Sequence, residues 1–129
     1  MKRLLIVTLL LSCPGVFAQG SFESRLQAAH DLETSPGEQP YQAALKSAVG
    51  PKINGFIKSC EQTIAVTVAP PFDLVADITR AATLAHVEVR PDSAFSSCFA
   101  RALSTASFPA LPDSFHGDNY PFAMEMHFH

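Results

Sequence analysis

The C-terminal end of the chain carries the side chains best suited to metal chemistry. His116 lies in a polar stretch, and Glu125, His127 and His129 recur at every second position of the segment that follows. Imidazole groups and the thioethers of nearby methionines suit copper or zinc ions. Strand neighbours on one face are about 6.6–7 Å apart, which is too far for a tight chelate unless the side chains lean together. A metal site formed by His116, His127 and His129 is therefore kept as an alternative. The function that we prefer for this chain, protein or peptide binding, needs no metal or other cofactor.

Two carboxylates could in principle perform acid–base chemistry. Asp73 and Asp77 are four residues apart, so a strand would place both on one face, two pleats from each other. Each is expected to face a basic residue, which favours ordinary ion pairing. The sequence contains no Gly-x-Ser-x-Gly elbow, no glycine-rich phosphate loop and no His-Glu-x-x-His motif. We therefore expect no catalytic residues and no enzymatic activity.

The N-terminus has the pattern of an export signal. Lys2 and Arg3 precede eight apolar residues at 4–11, and Val16-Phe17-Ala18 precedes Gln19. This pattern predicts a signal peptide over residues 1–18, because the apolar run is shorter than the about 20 residues that a membrane-spanning helix needs. The mature protein is then periplasmic or secreted. The alternatives are a lipoprotein anchored at Cys13 and a buried N-terminal helix or strand.

The predicted export determines which cysteines remain in the mature protein and whether they form a disulfide. Without residues 1–18, Cys60 and Cys98 remain, 38 residues apart. An even number of cysteines in an exported protein predicts a disulfide, and a loop of this length is worth about 4 kcal/mol in the chain-entropy model. The alternative is two buried thiols. A Cys-x-x-Cys redox site and a zinc cluster are excluded by the wide spacing of the pair.

The charge of the chain bears on its partners. The full sequence has a net charge of −3, and without Lys2 and Arg3 it has seven basic and twelve acidic side chains, a net charge of −5. Nucleic acids and anionic membrane surfaces attract basic patches, so neither is an expected partner. No second apolar run is long enough to span a membrane. We expect the partner to be an envelope protein or a peptide.

The other elements are expected to pack on a β-hairpin over residues 72–90. Its apolar side chains alternate with polar ones: Phe72, Leu74, Ala76 and Ile78, then Ala85, Val87 and Val89. A four-residue connection over 80–83 places Thr79 opposite Leu84, Ile78 opposite Ala85, Ala76 opposite Val87 and Leu74 opposite Val89. On the other face Asp77 meets His86 and Asp73 meets Arg90. A two-residue turn at Ala81-Ala82 has the same parity but requires positive φ at alanine, so the longer connection is preferred.

Three segments have helical periodicity. A short amphipathic helix is predicted over 21–33, and a longer one over 41–60 whose apolar stripe includes Cys60. Gly50-Pro51 interrupts the second, which indicates a kink or two helices end to end. The third follows a cap at Asp92 or Ser93, includes Cys98, and ends before Pro109.

The remaining segments complete an α+β layout. Residues 61–71 suit a short edge strand or an ordered loop. Residues 120–129 predict a third strand, with Phe122, Met124, Met126 and Phe128 facing the helices. We therefore expect N-terminal helices and a three-stranded antiparallel sheet with one crossing helix. The predicted divisions are a signal peptide at 1–18, a helix and linker at 19–40, and an α+β domain at 41–129.

The order of these motifs resembles a known group of domains. A helix with Cys60, a hairpin over 72–90, a helix with Cys98, then Phe108-Pro109, Pro112 and a strand led by Pro121-Phe122 is similar to the AgmX/PglI and TonB C-terminal-like domains of Gram-negative bacteria. The chain departs from that pattern at Ala81-Ala82, where glycine is usual, and at Phe108, near the usual tryptophan. TonB's membrane anchor and long proline-rich linker have no counterpart in this sequence. The resemblance thus implies the fold and an envelope location, without energy transduction.

These patterns together predict a small exported envelope protein that acts as a non-catalytic binding or interaction module. An unpaired sheet edge or a helical groove is the expected contact surface. The alternative is a periplasmic copper- or zinc-binding protein that uses the C-terminal histidine and methionine strand. A third interpretation, an inhibitor of an envelope enzyme, has the same sequence features as the first.

Overall fold

A computed structural model describes residues 20–66 and 68–127. It contains helix α1 (Phe22–Thr34), a short 3-10 helix (Pro36–Glu38), helix α2 (Gln39–Ile64), strands β1 (Phe72–Thr79) and β2 (Leu84–Arg90), helix α3 (Ala94–Leu103) and strand β3 (Asn119–Met126). The α+β class is therefore confirmed, with three α-helices and one three-stranded antiparallel sheet. The predicted signal peptide and Cys13 lie outside the described residues.

Serine side chains start two of the helices. Ser21 accepts a hydrogen bond from the Ser24 backbone N–H at 3.1 Å and caps α1. Ser93 caps α3, and its pairing with Ser96 is reciprocal because each side chain bonds the backbone N–H of the other. Of the two capping residues predicted for α3, Ser93 is the one used. Asp92 instead accepts a hydrogen bond from the Ser97 hydroxyl.

Helix α2 continues through Pro51, so the alternative of two helices end to end is wrong. Proline lacks the N–H that would bond the carbonyl of Ser47, four residues earlier. Both Ser47 and Pro51 are exposed, which lets water reach that carbonyl. The opposite side of the helix is held by burial of Tyr41, Leu45, Val49 and Cys60 in the core. Packing thus compensates for the interrupted hydrogen-bond ladder.

The sheet has the order β2-β1-β3, so β1 is central and β3 is an edge. β1 and β3 pair over eight consecutive positions, from Phe72 opposite Met126 to Thr79 opposite Asn119. No irregularity interrupts that pairing. The predicted third strand is present, although it ends at Met126.

The hairpin register is as predicted at one end and wrong at the other. Leu74 lies opposite Val89 and Asp73 opposite Arg90, but Leu84 lies opposite Ile78 instead of Thr79. A β-bulge on β2 adds one residue between Ala85 and Glu88, which shifts the remaining pairs. The predicted pairs Thr79–Leu84 and Ile78–Ala85 are therefore wrong, whereas Ala76 lies at the bulge, where the register assigns it no single partner. The connection itself spans residues 80–83 as expected.

The two faces of the sheet are covered by different helices. Leu74, Ala76 and Ile78 join one core cluster with residues of α2 and α3. The opposite face, which includes fully buried Val75 and half-buried Asp77, lies against α1. We expected that face to carry surface ion pairs, so its coverage by α1 is a difference from the prediction. Two layers of helices thus enclose the sheet.

A disulfide joins α2 to α3. Cys60 and Cys98 are bonded, with their Cα atoms 5.9 Å apart, as predicted. Cys60 is buried in the core cluster. Of the segment 61–71, predicted as an edge strand or an ordered loop, residues 61–64 instead belong to α2. The described residues between 65 and 71 form no strand, which favours the ordered loop there.

Candidate functional site

The outer edge of β3 has no neighbouring strand among residues 20–66 and 68–127, so its outward backbone groups have no strand partner there. In an antiparallel ladder a residue directs both its N–H and its C=O to the same neighbour, and successive residues alternate. The Thr79 N–H donates to the Thr83 carbonyl at 2.9 Å, so odd-numbered residues of β1 point to β2 and even-numbered ones to β3. On β3 the residues opposite those even-numbered partners are even-numbered as well. Ala123 and Glu125 therefore direct their N–H and C=O groups away from the sheet.

Pro121 supports the same assignment. Proline has no N–H and occurs in strands where that group would face away from the sheet. Pro121 lies opposite Asp77, at an outward-pointing position of β3. Its carbonyl is then the third outward group in line with those of Ala123 and Glu125. The edge offers two donors and three acceptors over five residues, which is enough to pair with a short added strand.

A groove runs along this edge between α1 and α2. It has a volume of about 230 Å³. The walls are mostly apolar and come from both helices and the strand: Ala29, Leu45, Val49, Ile53, Phe122, Ala123 and Met124, with Glu33, Gln42, Lys46, Gly50 and Pro121 completing them. The open backbone edge therefore lies beside an apolar surface.

A buried polar cluster fixes the start of β3 against α2. Gln42 donates to the Tyr120 hydroxyl at 3.1 Å, and that hydroxyl donates to Glu38 at 2.9 Å. The Tyr41 hydroxyl donates to the Pro109 carbonyl at 2.9 Å, and the two tyrosine rings meet edge to face. Burial raises the pKa of Tyr41 to about 12. Burial first, and then the hydrogen bond to Glu38 and the charge of that carboxylate, raise the pKa of Tyr120 well above its ordinary value, although the hydrogen bond from Gln42 lowers it. Both hydroxyls thus stay protonated donors at neutral pH.

The opposite edge, β2, is irregular. His86 in the bulge has φ +53°, and its carbonyl accepts a hydrogen bond from Arg25 of α1 at 2.7 Å. Its ring Nδ1 lies 2.8 Å from Asp77, so the predicted side-chain contact is formed although the two are not register partners. Bulges and engaged carbonyls disfavour strand addition at an edge. β3 is therefore the better edge for pairing.

Ion pairs hold α1 on the sheet. Arg25 is only 8% exposed and lies 3.8 Å from Asp77 and 3.5 Å from Glu88. Arg90 pairs with Glu23 of α1 and with Glu88, instead of with its register partner Asp73. One of the two carboxylates that we considered for catalysis, Asp77, is thus used to position α1. These contacts fix the α1 wall of the groove.

The predicted metal-binding histidines are not brought together. His116 precedes β3 and His127 follows it, so the strand separates them by roughly 20–25 Å. His129 lies outside the described residues. Glu125 is 3.4 Å from His30 of α1, a contact that no pattern in the sequence indicated. Within residues 20–66 and 68–127, no group of three histidine, cysteine or acidic residues could hold a metal ion.

The groove was only partly visible in the sequence. An unpaired edge or helical groove was expected, but the strand order that selects β3 needed the structure.

No helix of the described part of the chain has the length and hydropathy required to cross a membrane. Comparison with protein-family models finds no match, and comparisons with curated proteins and with solved structures find none either.

Proposed function

We propose that this protein is a small exported binding module that captures an extended peptide segment of an envelope partner as a fourth strand on β3. One observation carries the proposal: the outward N–H and C=O groups of β3 lie beside an apolar groove that Pro121 and Ala123 help to line. Main-chain hydrogen bonds supply affinity in strand addition, and adjacent pockets supply selectivity. No catalytic step is part of this function.

The irregular β2 edge supports the choice of site. Its bulge and the Arg25 contact interrupt the regular spacing that a paired strand needs. β3 pairs with β1 without a bulge and is flanked by rigid helices. A peptide bound there would lose solvent on both of its faces, because α1 and α2 stand on opposite faces of the sheet.

Export of the mature chain is part of the same proposal. The signal-like pattern over residues 1–18 supports it, and the Cys60–Cys98 disulfide is compatible with an oxidising compartment. The lipoprotein form anchored at Cys13 would bring the same groove to a membrane surface. The metal-binding alternative gains no support from the positions of His116 and His127.

Pools of random eight-residue peptides, the length of β3, test the capture site. We expect at least one pool to shift the backbone amide resonances of Ala123 and Glu125 in an NMR titration. The amides of β2 serve as the internal control and should stay in place. Shifts at β2 in place of β3, or no pool that shifts the β3 amides, would contradict the proposal.

A further inference from the structure

We infer that the segment added to β3 alternates large apolar side chains with basic ones. This inference rests on the proposed function and names the partner by its chemistry. Side chains of an added strand point alternately to the two faces of the sheet. At β3 those faces are bounded by different helices, so the two sets of side chains meet different surroundings.

The side facing α2 is mostly apolar. Leu45, Val49 and Ile53 of α2 line it together with Phe122 and Met124 of β3. Every second side chain of the added strand would enter this space. Burial of a leucine-sized side chain is favourable by about 25 cal/mol per Å² of apolar surface, whereas burial of an unpaired charge is costly. Large apolar residues fit this side.

The side facing α1 is lined by small and acidic side chains. Ala29 and Ala123 leave little side-chain bulk there, and Glu33 stands on the wall. The Glu33 carboxylate has no ion-pair partner among the described residues. Glu125 extends from β3 on the same side. A lysine or arginine of the added strand could reach these carboxylates while its aliphatic stem covers the two alanines.

Two charged residues determine which face of the added strand carries its basic side chains. Lys46 stands on the α2 wall, without an ion-pair partner in the described part of the chain, and repels a basic side chain on that side. Glu33 attracts one on the α1 side. The net charge of the described part of the chain is also negative, because residues 20–66 and 68–127 hold seven basic and twelve acidic side chains. Charge complementarity therefore favours a cationic segment over an acidic one.

Two synthetic eight-residue peptides test the inference by calorimetry on the disulfide-bonded protein. One alternates lysine with leucine and valine, and the other carries glutamate in place of each lysine. We expect the lysine peptide to bind at least about tenfold more tightly at low salt. Glu33→Lys should weaken its binding by about fivefold. Asp113→Lys makes the same change of net charge in an exposed loop away from the groove and should have a smaller effect.

The outcomes separate this inference from the proposed function. Tighter binding of the glutamate peptide, or equal binding of both with shifts at the Ala123 and Glu125 amides, would overturn the charge preference and leave strand capture intact. Equal effects of Glu33→Lys and Asp113→Lys would overturn the role of the α1 wall. Failure of both peptides and of every random pool to shift the β3 amides would overturn strand capture itself.

Discussion

At the scale of single residues, the residue that ends α2 has an unfavourable backbone conformation that a substitution could relieve. Ala65 has φ +57°, a left-handed conformation that costs a residue with a Cβ atom about 1–2 kcal/mol. Glycine is the usual residue after a helix for this reason. Ala65→Gly should raise the free energy of unfolding by about 0.5–1 kcal/mol, after allowance for the greater freedom of glycine in the unfolded chain. Urea unfolding of the natural protein and the variant measures this difference in the free energy of unfolding.

Ala43→Gly is the matched control for that substitution. Ala43 is equally exposed but lies in the interior of α2. There glycine should lower the free energy of unfolding by about 1 kcal/mol. If both substitutions destabilise the protein to the same extent, the left-handed conformation at Ala65 is not costly and the argument fails.

The two tyrosines predict loss of stability at alkaline pH. Tyr41 and Tyr120 have pKa values raised above the ordinary 10.0, so their contribution is complete below pH 10. It declines as the pH rises through about 12, where Tyr41 ionises in the folded state. These are the only tyrosines of the chain, so tyrosinate absorbance reports on them alone. The absorbance should rise together with loss of circular dichroism. If both tyrosines ionise near pH 10 while the chain stays folded, the burial argument is contradicted.

At the scale of elements, the docking of α1 depends on a buried cation. Arg25→Ala removes the contacts to Asp77, Glu88 and the His86 carbonyl and leaves Asp77, only 14% exposed, without its guanidinium. We expect a loss of about 2–4 kcal/mol in the free energy of unfolding. Chemical denaturation checks it, with exposed Arg101→Ala as a control that should change stability by less than about 0.5 kcal/mol. A loss no larger than the control's would mean that apolar packing alone holds α1.

The elements were more predictable than their arrangement. Periodicity gave the helices and strands, because apolar spacing follows directly from which side is buried. The bulge at His86 was not predictable, because Leu84 and Ala85 are both apolar and the sequence did not show that Leu84, instead of Ala85, packs against the core. The place of α1 was missed for a related reason. Asp73 and Asp77 made their face resemble a solvent surface, and only Val75 between them indicated burial.

The candidate site depends on information that no local pattern contains. That β3 is an edge follows from the strand order, and the position of Ala29 and Glu33 beside it follows from the packing of α1. The Pro121 signal was available in the sequence, because proline is confined to the edges of sheets. It could have identified the open strand before the structure did.

At the scale of the whole molecule, the disulfide ties the two helices that cover one face. Closing a loop of 38 residues should contribute about 4 kcal/mol by the chain-entropy argument. A Cys60→Ala/Cys98→Ala double variant should therefore be less stable by about 3–5 kcal/mol in urea, an appreciable share of a small domain's total. The reduced natural protein is the control, since it keeps both sulfur atoms. Unchanged stability in both would show that helix packing does not need the bridge.

The central claim is that the backbone of β3 binds an added strand, and N-methylated peptides test it most directly. Take the tightest peptide from the random pools and methylate the backbone nitrogens of its odd-numbered residues in one version and its even-numbered residues in another. Strand addition predicts that one version loses binding by about tenfold or more, because its N–H groups face β3, while the other stays within about threefold. Calorimetry with equal affinities for the two versions would contradict capture by main-chain hydrogen bonds.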